Sequence, residues 1–175
     1  HGNQSFPCSF DFRYYKDIYI VKTNLNGAAL WQKTHGNEYL EKGTDIVAKE
    51  SGGYIIAGEK CDHGYNISSC DNRAKIILLE IDEDGNSNQE TVLNNLYFFE
   101  AGSPISISNS SNGGYVFVSK PKNNGYTWFY KWGQNENSID LKLENAGYGG
   151  ESIEMSNDGG FIIGTSGSTI IKTDQ

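Results

Sequence analysis

Hydrophobic positions in this chain fall in short runs, each closed by a polar turn that carries glycine or asparagine, and the runs repeat. One phrase occurs as SGGYIIAG (Ser51–Gly58), NGGYVFVS (Asn112–Ser119) and DGGFIIGT (Asp158–Thr165). A second recurs around it: IYIVKTNLNG (Ile18–Gly27), IILLEIDEDG (Ile76–Gly85), WFYKWGQNEN (Trp128–Asn137) and TIIKTDQ (Thr169–Gln175). Runs this short, rich in β-branched and aromatic residues and bounded by turn formers, read as β-strands joined by hairpins. The Asn26-Gly27, Asp84-Gly85 and Gly-Gly pairs supply the positive φ that a tight hairpin needs. A recurrence every ~40–60 residues indicates stacked supersecondary units sharing a core.

The pattern predicts four strands per unit. The first unit holds Asp17–Thr23, Ala28–Thr34, Asp45–Glu50 and Tyr54–Ala57. The second holds Ala74–Asp82, Ser87–Leu93, Ser103–Asn109 and Tyr115–Ser119. The third holds Thr127–Trp132, Ser138–Leu143, Glu151–Ser156 and Phe161–Gly164, and Thr169–Asp174 opens a fourth. The chain is therefore divided into an N-terminal segment (1–16), repeats over 17–60, 74–120 and 121–165, a loop insertion over 61–73, and the start of a fourth repeat over 166–175. Each unit is read as one four-stranded antiparallel sheet, and radial repetition of such sheets is the blade arrangement of a β-propeller. Three units and one strand do not close a ring. The expectation is a longer propeller, closure by the first 16 residues, or completion of the open edge by another subunit.

The repeat also carries a resemblance. Lys22-Thr23, Trp31, Lys33-Thr34, Gly36, Asp45 and Gly52-Gly53-Tyr54 follow the order K-T-D-x-x-G, W-x-K-T-x-G, D-G-G-Y-I-I-x-G. In this it resembles the propeller-type repeats of secreted and surface proteins of bacteria, Bacteroidetes above all. The match spans Asp17 to Gln175 and loses the Trp-x-Lys-Thr portion in the second and third units. The resemblance implies an extracellular or cell-surface, non-catalytic repeat domain and names no ligand.

Composition narrows the partners. Net charge is −8, and the 14 Lys and Arg residues are dispersed, which excludes the basic stripe that nucleic acid requires. No apolar run approaches the ~20 residues of a membrane-spanning helix. Cys61 and Cys70 bracket the polar loop CDHGYNISSC and are assigned a disulfide, leaving Cys8 over. A zinc site at Cys61, His63, Cys70 and Asp71 lacks the spacing of a finger or ribbon.

Two further clusters could bind something. Asp82, Asp84 and Asn86 alternate like calcium ligands, although Gly85 is misplaced for an EF-hand and a hairpin turn accounts for the same residues. Tyr126, Trp128, Tyr130 and Trp132 form the densest aromatic stretch. On a strand the last three share a face: exposed, they make a stacking platform for sugar rings; buried, they pack neighbouring units together. No Ser/His/Asp set or recurring carboxylate pair stands out, so the expectation is a non-enzyme without cofactor, calcium excepted. Its function is expected to be protein binding or self-association through open sheet edges, with carbohydrate binding as the alternative.

Overall fold

A computed structural model of the chain describes residues 16–37, 39–61, 74–93, 105–120, 127–133, 142–143, 149–167 and 169–174. Thirteen strands occur among them: β1 (Ile18–Thr23), β2 (Ala29–His35), β3 (Leu40–Ala48), β4 (Tyr54–Cys61), β5 (Ala74–Ile81), β6 (Ser87–Leu93), β7 (Ile105–Asn109), β8 (Tyr115–Ser119), β9 (Thr127–Trp132), β10 (Lys142–Leu143), β11 (Gly150–Met155), β12 (Phe161–Thr165) and β13 (Ile170–Thr173). The described residues contain no helix. Every ladder is antiparallel, and the chain is all-β.

Each described strand overlaps one that the pattern places, with β3 beginning at Leu40 instead of Asp45 and β10 described only at Lys142–Leu143, but their grouping differs. The sheets are β1-β2, β3-β4-β5-β6, β7-β8-β9-β10 and β11-β12-β13. Each four-stranded sheet thus joins the last two strands of one sequence unit to the first two of the next, two strands out of phase with the repeat read from the sequence. The short link from β2 to β3 passes between sheets, whereas β4 pairs with β5 along its whole length across the Cys61 insertion.

One turn builds five hairpins. At Asn24–Ala28, Lys49–Gly53, Asp82–Asn86, Ser110–Gly114 and Ser156–Gly160, the fourth residue's N–H donates to the first residue's carbonyl, and the first residue's N–H donates to the fifth residue's carbonyl. The fourth residue is always a glycine with positive φ, from 79° at Gly85 to 90° at Gly52. This is the three-residue hairpin whose left-handed position favours Gly. The second glycine of each Gly-Gly pair has a further cause besides the positive φ that Gly53 and Gly114 also adopt. A Cβ at Gly53 or Gly160 would overlap the carbonyl oxygen of Ile81 or Thr173, and one at Gly114 would lie 2.6 Å from that of Trp132. These carbonyls belong to the third strand of each sheet or the residue directly after it. The Gly27 and Gly85 hairpins end in β2 and β6, which among the described residues have no further strand beside them, and there a single glycine suffices.

Strand alternation gives the middle strands of the two four-stranded sheets two buried faces, and the sheets pack face to face. Ile18, Ile20 and Trp31 of the first sheet meet Ile56, Ile77, Leu79 and Ile81 of the second. The opposite face of the second, Ile55, Ala57, Ile76 and Leu78, meets Ile105, Ile107, Phe117 and Tyr130 of the third. Val116, Val118 and Phe129 on the far side of the third meet Ile153, Phe161, Ile163 and Ile171 of the fourth. The same strand positions thus build each interface in turn.

Candidate functional site

The edge strands β3, β7 and β11 run side by side and line a cleft of about 580 Å³. An edge strand leaves backbone donors unpaired, and here side chains of the preceding sheet accept them. Asp45 Oδ2 accepts from the Ile107 N–H at 2.9 Å and from Ser106 Oγ–H at 2.7 Å. Ser106 Oγ accepts from the Ile153 N–H at 3.2 Å, and Ser108 Oγ accepts from the Met155 N–H at 3.2 Å. Counted from the glycine pairs, Asp45, Ser106 and Ser152 are equivalent, as are Ile46, Ile107 and Ile153. A bulge beside Thr44 lets its Oγ–H reach the carbonyls of Ala57 and Ile105. The cleft continues over Ser152, Glu154, Ile162 and Ile170 of the last sheet, where apolar side chains stand beside hydrogen-bonding ones. Such a surface offers van der Waals contact and acceptors to an incoming strand or sheet.

A second interlock joins the first two sheets at the β5–β6 turn. Trp31 Nε1–H donates to the Glu83 carbonyl at 2.9 Å, Lys22 pairs with the Glu83 carboxylate at 2.9 Å, and His35 Nε2 bonds the Gly85 carbonyl at 2.9 Å. The Lys22 hydrogen bond lowers the Glu83 pKa and raises that of Lys22. Gly85 lies under the Trp31 ring, where a Cβ would come within 2.8 Å of it.

The calcium candidates lie in this turn. Asp82 Oδ1 accepts from the N–H groups of Asp84 (3.0 Å) and Asn86 (2.8 Å), and Oδ2 accepts from Asn86 Nδ2 at 3.1 Å. These bonds, the Asn86 N–H first, hold the Asp82 pKa below its ordinary value. Asn24, the equivalent residue of the first hairpin, accepts from Asn26 and Ala28 in the same manner without a carboxylate. The arrangement is turn chemistry, with Asp82 directed at its own backbone and Asn86 Oδ1 accepting from Lys33. Among the described residues no group of three or more His, Cys, Asp or Glu is placed to hold a metal ion.

The aromatic platform requires correction. Tyr130 is 1% exposed and stacks on Phe117 with ring centroids 4.7 Å apart, and burial pushes its hydroxyl pKa up to about 12. Trp132 is half-buried against Tyr115, centroids 5.5 Å apart. The face they share points at the second sheet, because β9 is a middle strand with a sheet on either side. Trp128 pairs through its backbone with Ser119 and Lys142; its side chain and all of Tyr126 lie outside the described residues. Cys61 is buried and disulfide-bonded, while Cys70 and Cys8 lie outside the described residues.

Strand pattern alone misses a charged cluster on the second sheet. Glu41 on β3 is 2% exposed, 3.6 Å from Lys60 Nζ on β4, which bonds Glu90 on β6 at 2.8 Å and lies 5.0 Å from the Tyr39 ring center. Burial raises the Glu41 pKa against the pull of Lys60. Burial also opposes the charge on Lys60, but the Glu90 bond and the charges of Glu90 and Glu41 outweigh it and raise its pKa. Cross-strand pairing of Glu41 with Lys60 is the only sequence signal, and it needs the register. As pH rises from 4.5, the unfolded chain loses its proton from Glu41 before the native protein does, so stability falls through that window. Glu41→Gln is expected to flatten the melting temperature against pH above that value; superimposable profiles for both proteins would refute the assignment.

No known protein family and no curated protein matches the chain. Among solved structures it is similar to a protein of unknown function from Bacteroides caccae, at 11% sequence identity and a TM-score of 0.34, over 93% of this chain and 70% of that one. Among the described residues no helix is long and apolar enough to cross a membrane.

Proposed function

We propose that this chain is a secreted or cell-surface, non-catalytic module that binds protein and assembles with copies of itself through propeller-type repeats. The observation that carries the reading is exposed apolar surface on the first and the last of the described sheets. Ile162 and Ile170 are 44% and 75% exposed on the last sheet, and Tyr19 and Leu30 are 60% and 59% exposed on the first. Clustered apolar exposure of this kind marks contact surfaces. The second and third sheets bury Ile55 and Val116, the equivalents of Ile162, and the second buries Leu78 and Ile77, the equivalents of Ile170 and Tyr19. The disulfide at Cys61 favours an oxidising compartment and supports the extracellular placement. Carbohydrate stacking on the β9 aromatics would need a free ring face, and Tyr130 offers none. Sedimentation velocity over a wide dilution series tests the reading. Mass-action growth into oligomers is expected, and a monomer at every concentration would overturn it.

A further inference from the structure

We propose that the uncovered face of the last sheet receives the uncovered face of the first sheet of a second copy, so that chains stack head to tail. The proposal rests on the assembly reading above and specifies its surface, partner and polarity.

The argument is the equivalence of positions along the stack. Each sheet has a forward face, turned toward the next sheet, and a backward face, turned toward the previous one. On the strand that opens each sequence unit (β1, β5 and β13), aligned at the Lys-Thr and Asn/Asp-Gly turns, Ile20, Leu78 and Ile170 are equivalent forward positions, and Val21, Leu79 and Ile171 are equivalent backward positions. Ile20 packs in the cluster that contains Leu79, and Leu78 packs in the cluster that contains Tyr130 of the next sheet. Ile171 packs backward onto the third sheet. Two members of the series have no packing counterpart among the described residues. Ile170 points forward from the last sheet at 75% exposure, and Val21 points backward from the first at 42%.

The neighbours of these two residues complete the surfaces. Ile162 sits beside Ile170 on the forward face. It is the equivalent of Val116, which is fully buried in the cluster joining the third and fourth sheets. Tyr19 and Leu30 flank Val21 on the backward face, and the Tyr19 hydroxyl bonds Gln32. A second copy seated on the last sheet therefore brings Val21 to Ile170 as Leu79 is brought to Ile20. Because the two surfaces differ, the contact is heterologous: it leaves one free face at each end, and copies add until a ring closes or a filament grows.

Two single variants test this directly, Ile170→Asp on the forward face and Val21→Asp on the backward face. Both positions are exposed, so the folded chain tolerates them, which circular dichroism and the melting curve check. Each variant alone is expected to lose association by at least about 100-fold, because an unpaired carboxylate enters an apolar contact. Mixed, the two should form a 1:1 dimer that grows no further. The forward face of Val21→Asp and the backward face of Ile170→Asp are both intact, and the remaining faces are blocked.

If Val21→Asp alone assembles like the wild type while Ile170→Asp does not, the contact joins two forward faces and head-to-tail stacking is wrong. If both variants assemble like the wild type, the contact uses other surfaces, such as the β6 or β10 edges, and the proposal fails while the assembly reading stands. If the wild type itself stays monomeric, both fall.

Discussion

Phe117→Ala is expected to destabilise the protein by about 3–5 kcal/mol, the usual cost of emptying a buried aromatic site. Phe117 is 1% exposed on the middle strand β8, stacked on Tyr130 and enclosed by Ile55, Ala57, Ile105 and Ile107. Sheets on both sides of the cluster hold the walls apart, so the cavity cannot collapse without shifting a ladder. Urea unfolding read by far-UV circular dichroism measures the loss. Leu25→Ala, at a hairpin tip where the side chain is fully exposed, is the control and should lie within about 0.5 kcal/mol of the wild type. A loss below about 1 kcal/mol at Phe117 would mean that the second and third sheets do not share a core.

Gly53→Ala is expected to cost about 2–5 kcal/mol from two additive sources. Gly53 has φ +81°, which costs an L-residue about 1–2 kcal/mol. Its Cβ would also press on the Ile81 carbonyl, and relieving such overlap adds about 1–3 kcal/mol. Gly113→Ala tests the separation of these causes. Gly113 has φ +79° but nothing within 4 Å of its Cβ position, so only the conformational cost applies. The same urea experiment should place Gly53→Ala well above Gly113→Ala. Equal losses would show that the third strand does not crowd the second glycine.

The glycine pairs also show how much was legible in the sequence. Strand positions were, because apolar runs and turn residues both mark them, and the repeated Gly-Gly marked a hairpin. The sheet grouping was not. A short link usually joins neighbouring strands of one sheet, yet here the short β2–β3 link crosses between sheets while the long Cys61 insertion joins partners. The glycine count held the missing information: a hairpin whose second strand has a further strand beside it carries two, and one whose second strand is a described sheet edge carries one.

The aromatic stretch misled for a related reason. Alternation put Trp128, Tyr130 and Trp132 on one face, but parity cannot say whether that face is free when sheets cover both sides of a strand. The calcium pattern at Asp82 was equally ambiguous, since a carboxylate that caps its own turn and one that binds a cation occupy the same spacing. At the inter-sheet seam, Asp45 and Ser106 looked like ordinary polar strand residues. Their role depends on which edge strand lies alongside, and that is a property of the stack.

In the proposed stack the exposed faces of the first and last sheets are contact surfaces for each other. Hydroxyl-radical footprinting, read by mass spectrometry on dilute and concentrated samples, tests it most directly because it reports side-chain exposure residue by residue. Tyr19, Leu30, Ile162 and Ile170 should become protected together as concentration rises, while Leu25 at its hairpin tip stays reactive throughout. Unchanged reactivity at the four face residues while the solution mass grows would contradict the claim.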